Sequence, residues 1–171
     1  MRKNGDVEGF DIESLKRVFR AFNKLKREGL IKEYGVVGAV GAMFYTQAFH
    51  TMDADIFILL EGYNQFPVYD RLASMGYDQM IHGNKQLLME GIPVDIFAPY
   101  DPLTREALRN TKKYDFEGVK VQVVRPEYLI AMAYNLGRHK DLAKADMIMS
   151  QTKIDLGLLG DILERHRIRK P

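Results

Sequence analysis

Two aspartates stand one residue apart at the start of a strongly apolar run, "HTMDADIFILLEG", at residues 50–62. Taking an ionised carboxylate out of water is costly unless a cation or a hydrogen-bond donor compensates it. Successive side chains of a strand point to opposite faces, so Asp53 and Asp55 would share one face. The pair either lies at a solvated strand end or holds a cation, and these two residues alone leave both interpretations open.

A third carboxylate follows in "GIPVDIFAP". Asp95 lies between Val94 and Ile96 in a second predicted strand, so it points away from two apolar neighbours. If the two strands are adjacent, Asp53, Asp55 and Asp95 converge. Oxygen ligands of this kind suit a hard divalent cation, above all Mg²⁺ with Mn²⁺ as the substitute, which completes its shell with substrate phosphates. The three aspartates are therefore the predicted metal ligands.

A glycine-bearing turn precedes these strands in "VVGAVGAMF". A strand, a turn at Gly38-Ala39 and the start of a helix would direct backbone N–H groups at a phosphate. Neither a G-x-G-x-x-G pattern nor a G-K-[ST] motif is present, which argues against a dinucleotide-binding or Walker-type site. A turn of small residues is also common where segments merely pack closely, so the phosphate site is one of two interpretations.

The hydrophobic spacing predicts an α+β fold: a mixed β-sheet flanked by helices, followed by a helical C-terminal third. We predict a single domain over residues 1–171, with its core at about 34–125 and its helical part at about 126–171. The predicted elements are helices at 11–30, 41–48, 65–75 and 102–111, strands in "YGVVGAV" and "DADIFILL", hairpins around Glu90-Gly91 and Glu117-Gly118, and helices at about 126–137, 139–151 and 155–168.

The composition excludes several classes of protein. The chain has no cysteine, which excludes disulfides, thiol nucleophiles and thiolate zinc sites and favours a cytoplasmic location. No segment has the run of apolar residues that a membrane span needs, and the N-terminus lacks the apolar region of a signal peptide. The net charge of +2 argues against binding nucleic acid through bulk charge, although a local basic patch is compatible with it.

Other charged residues have simpler interpretations. Asp141 and Asp146 lie on one predicted helix without sharing a face and are interpreted as solvated or capping residues. The C-terminal "RHRIRKP" is a basic end of the kind that is usually solvated, and it could also help a nucleic-acid acceptor to dock. The tyrosines are numerous enough that one could stack on a base, but the sequence does not select it.

The ordered set of these motifs resembles the nucleotidyltransferase superfamily related to DNA polymerase β. It consists of the Gly38-Ala39 turn that opens a helix, D-x-D at residues 53–55 and a lone Asp95 on a later strand. Within that superfamily the chain is most similar to the small AbiEii-type nucleotidyltransferases, some of which are toxins of toxin–antitoxin pairs. "HTMDADI" resembles their R-x-T-x-D-I-D-I motif, and "RPEYLIAMAYNLGRHKDLAKADM" resembles their C-terminal helical stretch.

The resemblance implies a mechanism and assigns roles. Asp53 and Asp55 would bind the metal that holds a nucleoside triphosphate (NTP), and Asp95 would complete the metal site and help to activate an acceptor hydroxyl. Gly38 and Ala39 would bind phosphates through backbone N–H groups. Arg138 and Lys140 would neutralise triphosphate charge, or would simply form an exposed corner between two helices. The acceptor could be tRNA or protein, and an antitoxin could be a partner.

Two other functions are compatible with the same residues. The family usually has Ser, Arg and Lys where this chain has Ala39, His50 and Ala133, and these departures motivate a non-catalytic module that binds a nucleotide or a partner. A metal-dependent nuclease or phosphohydrolase is the other alternative, because an acidic site does not decide whether water or a hydroxyl group attacks. The reaction products distinguish these functions.

Overall fold

A seven-stranded mixed β-sheet is the centre of the fold. The computed structural model describes residues 6–7, 10–47, 51–83 and 85–171. Their strands are β1 (Asp6–Val7), β2 (Phe10–Asp11), β3 (Glu33–Val37), β4 (Ala54–Leu59), β5 (Met80–Ile81), β6 (Gln86–Met89), β7 (Ile92–Phe97), β8 (Lys112–Phe116) and β9 (Val119–Val123). The first two strands form a separate small sheet, and the other seven form the main sheet.

The order of strands in the main sheet is β5-β6-β7-β4-β3-β9-β8. β4 runs parallel to β7 and antiparallel to β3, while β3 runs parallel to β9. The remaining neighbours pair antiparallel. The apolar β4 is therefore a central strand, as its continuous run of β-branched and aromatic residues predicts.

Seven helices among the described residues surround the sheet. They are α1 (Ile12–Arg27), α2 (Gly38–Ala42), α3 (Phe66–Ser74), α4 (Pro102–Arg109), α5 (Pro126–Leu136), α6 (His139–Gln151) and α7 (Leu156–Arg165). The caps follow from the sequence: the Asp11 side chain accepts from the Ser14 N–H at 2.9 Å, and Gly137 ends α5 in the left-handed conformation. None of these helices combines the length and apolar character that crossing a membrane would require.

The two faces of the sheet are covered by different helices. On β3, the ring of Tyr34 lies 5.7 Å from that of Phe22 in α1. The next residue, Gly35, faces α4, because a Cβ atom there would lie 3.1 Å from the Leu108 side chain. Val37 shares the face of Gly35 and pairs with Asp55 on β4. The carboxylate of Asp55 therefore emerges on the face opposite α1.

The predicted α+β class, with a mixed sheet and a helical C-terminal third, is confirmed. The helix predicted at 41–48 is wrong: α2 begins at Gly38 and ends at Ala42. A physical reason is that the Thr46 hydroxyl donates to the Ala42 carbonyl at 3.0 Å, which satisfies the helix end locally. The last helix also stops earlier than predicted, at Arg165.

Candidate functional site

Asp55 and Asp95 lie side by side on the two central strands. Because β4 and β7 are parallel neighbours, Asp55 stands in register with Asp95. Neighbouring strands lie about 4.8 Å apart and paired residues point to the same face. The two strands are adjacent, which is the condition for the carboxylates to converge, and their pairing brings together two carboxylates from distant parts of the chain.

The three predicted carboxylates have different partners. Asp53 precedes β4 and accepts from the Thr51 hydroxyl at 3.0 Å. The Oδ2 atom of Asp95 accepts from Nε2 of Gln86 at 2.6 Å. Within the ranges that the structure describes, no three His, Cys, Asp or Glu side chains have the spacing of a metal centre. The carboxylates are thus neighbours, but their side chains do not form a ready three-ligand cage.

Of the three predicted carboxylates, Asp55 is the one without a hydrogen-bond donor among the described residues. In the described part of the chain, it also has no ion-pair partner. Burial, followed by the negative charges of Asp53 and Asp95, raises the pKa of Asp55 to about 6. The positive charges of Lys144 and Lys140 oppose this shift without cancelling it. A cation bound between the carboxylates would remove the cost of this charge.

Gly38 lies against the Asp55 carboxylate. Its backbone has a φ of 62°, which disfavours any residue with a side chain. A Cβ atom at this position would lie 2.0 Å from Oδ2 of Asp55 and 2.9 Å from its Cγ. The glycine therefore lets the start of α2 approach the carboxylate, so its position and that of Asp55 depend on each other.

Replacing Gly38 by Ala should destabilise the fold more than replacing Gly29 by Ala. Gly29 has a φ of 76°, and no atom lies within 4 Å of the place its Cβ would take, so it measures backbone strain alone, about 1–2 kcal/mol. At Gly38 the displaced Asp55 side chain should add about 1 kcal/mol. Urea unfolding of both variants tests the difference. Equal costs would contradict the argument, and in an Asp55→Ala background the difference should vanish.

A cavity of about 270 Å³ opens beside Asp55. Its walls are mostly apolar, and α5 contributes Leu129, Met132, Ala133 and Leu136 to them. Three aromatic residues form another part of the wall, since the Phe57 ring lies 5.5 Å from that of Phe97 and 6.0 Å from that of Tyr100. Tyr100 is 66% exposed. Such a wall suits a planar ring, and it singles out one of the nine tyrosines.

An ion-pair network centred on the buried Asp141 lies on the polar side of the cavity. Nε of Arg138 donates to Asp141 at 2.5 Å, and Nζ of Lys144 lies 3.2 Å from the other oxygen. All three side chains line the cavity. Asp141 is 3% exposed, and although burial raises its pKa, the hydrogen bonds from Arg138 and Lys144 outweigh burial and lower it. The interpretation of Asp141 as solvated or capping is wrong, whereas Asp146 is exposed.

The predicted phosphate-binding residues are distributed unevenly around this cavity. Gly38 and Arg138 line it. Ala39 is half-buried in the first turn of α2 and Lys140 is exposed on α6, and neither contributes to the lining. His50, noted for its departure from the family motif, lies outside the described residues.

Solved structures with the same architecture include three nucleotidyltransferase-related proteins. An antigenic nucleotidyltransferase-like protein from Paracoccidioides brasiliensis matches with a TM-score of 0.55 at 15% identity, over 91% of this chain and 89% of that one. The antibiotic-resistance factor ANT(2'')-Ia matches with 0.59 at 8% identity, over 91% and 92%. A putative nucleotidyltransferase from Thermotoga maritima matches with 0.50 at 16% identity, over 81% and 93%. The chain has the nucleotidyltransferase fold.

ANT(2'')-Ia also matches in its complex with adenylyl-2''-tobramycin, with a TM-score of 0.56 at 8% identity, over 90% of this chain and 97% of that one. At the level of sequence, no family model matches the chain and no curated protein matches it. The likeness is therefore one of architecture, and at these identities it concerns the nucleotidyltransferase fold alone.

On this nucleotidyltransferase fold, the residues present fit a divalent cation. Mg²⁺ usually binds through one or two carboxylates together with water and substrate phosphates, so it does not require a three-carboxylate cage. Asp55 and Asp95 would supply two oxygen ligands in register, and a cation bound there would stabilise the charged form of Asp55. Asp53 is the third candidate ligand, held one residue before the strand.

On this nucleotidyltransferase fold, two residues that line the cavity are not among the predicted site residues. Asp141 and Lys144 line the cavity, and neither was a candidate for the site. A signal for Asp141 exists in the spacing of Asp141, Ala145 and Ile148, which are four and three residues apart and are all buried on one face of α6. No comparable pattern marks Lys144, because it reaches the cavity from the edge of that face.

Proposed function

We propose that this chain is a divalent-metal-dependent nucleotidyltransferase that moves a nucleoside monophosphate from an NTP to an acceptor hydroxyl. The observation that carries the proposal is the in-register pair of Asp55 and Asp95, which lies beside Gly38 on a nucleotidyltransferase fold. The adjoining cavity combines an aromatic wall with two cations, as a nucleotide with a planar base and a charged triphosphate requires.

In the proposed reaction the acceptor oxygen forms a bond to the α-phosphorus of the NTP. The bond from that phosphorus to the bridging oxygen breaks, and pyrophosphate leaves. Asp95 takes the proton of the acceptor hydroxyl, and the hydrogen bond from Gln86 orients its carboxylate. Asp53, Asp55 and Asp95 would hold a Mg²⁺ or Mn²⁺ ion, which would supply positive charge to the phosphate oxygens.

Cationic and backbone groups bind the triphosphate in this proposal. Arg138 and Lys144 line the cavity and are already held near it by Asp141. Lys144 supplies from α6 a charge that the family resemblance would expect from α5, at the place of Ala133. The backbone N–H groups of Gly38 and Ala39 bind phosphate oxygens at the start of α2, and Lys140 adds charge at longer range.

A metal-dependent thermal-shift series with the four NTPs tests whether the site binds nucleotide. We expect one or more NTPs to raise the melting temperature only when Mg²⁺ or Mn²⁺ is present. Asp53→Asn should reduce this shift, while Asp146→Asn, the same change at an exposed residue of α6, should leave it unchanged. A shift that needs neither metal nor Asp53 would contradict the assigned site.

Transfer itself is tested with α-labelled NTPs, Mg²⁺ and pools of tRNA, protein and small acceptors. The expected products are a labelled acceptor and pyrophosphate. A nuclease or phosphohydrolase would instead give cleaved nucleic acid or free labelled nucleotide. Binding without turnover in any pool would favour the non-catalytic alternative and contradict the proposal.

We include in this proposal a relation to the AbiEii-type nucleotidyltransferases and a role as a cytoplasmic toxin with an antitoxin partner. Its support is the sequence resemblance of "HTMDADI" and of the helical stretch that begins at Arg125. Induced expression in a bacterial host should arrest growth, and Asp55→Asn should relieve the arrest at equal protein level. Normal growth at high expression of the intact protein would contradict the toxin role.

A further inference from the structure

Two segments of the chain are rich in exposed cations that have no part in the chemistry proposed above. Two short segments, residues 105–113 and 165–170, hold eight of the chain's 25 Lys and Arg residues but one of its 23 Asp and Glu residues. All eight of these cations are exposed: Arg105, Arg109, Lys112, Lys113, Arg165, Arg167, Arg169 and Lys170. We call the four that line one cavity, Arg105, Arg109, Arg165 and Arg167, the basic surface. The rest of the chain is net acidic, so the charge is concentrated in the two segments.

Glu106 joins the two segments. Its carboxylate accepts hydrogen bonds from Arg165 and from the Tyr128 hydroxyl, the latter at 2.9 Å. It also pairs with Nε2 of His166 at 2.6 Å. The hydrogen bonds from Arg165, ahead of those from His166 and Tyr128, lower the pKa of Glu106 to about 2 despite its partial burial. This one acidic residue is therefore fully engaged. It fixes the C-terminal segment against α4.

The two segments enclose an open cavity of about 710 Å³. Arg105 and Arg109 are four residues apart on α4, so they share one helix face, and Arg165 and Arg167 line the cavity from the other segment. Within the described part of the chain, Arg105, Arg109 and Arg167 form no ion pair. The Asp101 carboxylate also lines the cavity, but it caps α4 by accepting from the Thr104 N–H at 2.7 Å.

The basic cavity and the carboxylate cavity are lined by neighbouring residues of the chain at two places. Asp101 and Asn135 line the basic cavity, and their chain neighbours Tyr100 and Leu136 line the carboxylate cavity. A ligand bound across the basic surface would thus extend to the mouth of the carboxylate cavity. The cations are spaced along a surface that ends beside the carboxylate cavity. This arrangement suits a polymer with regularly spaced negative charges and a terminal hydroxyl group.

We propose that the acceptor is a nucleic acid, held by its phosphate backbone on the basic surface with its terminal hydroxyl at the carboxylate cavity. The inference rests on the proposed function, because it names the molecule whose hydroxyl receives the nucleotide. The acceptor oxygen bonds to the α-phosphorus, pyrophosphate leaves and the hydroxyl proton passes to Asp95. Contacts to phosphates hold RNA and DNA in the same way and set the register of the strand without selecting its sequence.

The test is binding of a fluorescent single-stranded RNA 20-mer, followed by anisotropy from 50 to 200 mM salt. The Arg105→Gln/Arg109→Gln variant should bind about tenfold more weakly, because it loses two exposed charge contacts. The slope of log K against log salt should fall by about 1.4, since each phosphate contact on a single strand contributes about 0.7. Both side chains are exposed and form no ion pair with the residues that the structure describes, so the fold should tolerate the change.

The matched control is Arg20→Gln/Arg27→Gln. It removes the same charge from exposed positions of α1, on the opposite face of the sheet. The inference is supported if only the α4 variant loses affinity for RNA. DNA of the same length should give a similar result, and polyglutamate should bind more weakly. No binding at 50 mM salt, equal loss in both variants, or equally tight polyglutamate binding overturns it.

A transfer assay separates this inference from the proposed function. With an α-labelled NTP and Mg²⁺, the bound nucleic acid should become labelled, and the α4 variant should raise the KM for nucleic acid at least several-fold with little change in kcat. Label that appears only on a protein or small acceptor overturns the nucleic-acid assignment and leaves nucleotidyl transfer standing. Selective nucleic-acid binding without label on any acceptor overturns both the proposed transfer and the acceptor role.

Discussion

Replacing Asp55 by Asn should make the metal-free protein more stable at pH 7.5 and abolish its transfer activity. Burial, with the charges of Asp53 and Asp95, raises the pKa of Asp55 from 3.8 to about 6. The folded state therefore binds more protons than the unfolded chain between about pH 4 and pH 6, and stability falls as the pH rises through this range. A shift of about two pKa units corresponds to about 3 kcal/mol, which Asn would recover above pH 6.

Urea unfolding in the presence of EDTA, at several pH values between 4 and 8, measures this effect. The gap between Asp55→Asn and the unchanged protein should be near zero at pH 4 and largest above pH 6. Mg²⁺ should stabilise the unchanged protein and leave Asp55→Asn unaffected. Asp115→Asn is the control, because Asp115 is exposed and the hydrogen bond from Lys120 lowers its pKa. A variant that is no more stable at pH 7.5 would contradict the account of Asp55.

Replacing Asp95 by Asn should lower kcat by a factor on the order of 10² to 10⁴, the usual contribution of a general base. The amide keeps the size of the carboxylate but cannot accept the hydroxyl proton. Binding of the NTP through Asp55, Arg138 and Lys144 should change by no more than a few-fold. The measurement is a single-turnover rate, with nucleotide affinity determined separately by thermal shift.

Gln86 provides a graded comparison for Asp95. Gln86→Leu removes the 2.6 Å hydrogen bond but leaves the carboxylate, so kcat should fall about tenfold with the KM for NTP unchanged. The control is Asp115→Asn, which should keep full activity because Asp115 lies on β8 at the far edge of the sheet. Full activity of Asp95→Asn would exclude this residue as the base. If the loss of NTP affinity in Asp95→Asn were as large as the loss of activity, Asp95 would instead have a purely structural or ligand-binding role.

Most of the fold could be predicted because its signals are local. The hairpin turns at Glu90-Gly91 and Glu117-Gly118 have two successive positive φ angles, 52° and 78° in the first and 47° and 85° in the second. Both match the turn that a glycine in second place favours between two strands. The α1 helix likewise follows from one apolar face and an aspartate cap.

The parts of the site that escaped prediction depend on contacts between distant segments. Asp55 and Asp95 could be proposed as neighbours because each is an acidic residue in an apolar strand. The bond from Gln86 to Asp95 and the contact of Gly38 with Asp55 depend on the strand order and on backbone approach. The reach of Lys144 into the cavity depends on how α6 packs on α5, which no local pattern specifies.

The parallel pairing of β4 with β7 affects when the site can form during synthesis. Asp55 and Asp95 belong to strands separated by a helix and a hairpin, so their pairing closes a long loop and is intrinsically slow. A nascent chain that has exposed β3 and β4 carries Asp55 without its neighbour until β7 has left the ribosome. Translation of β7 is therefore the step that completes the carboxylate pair, and shorter fragments should be chemically inert toward nucleotides.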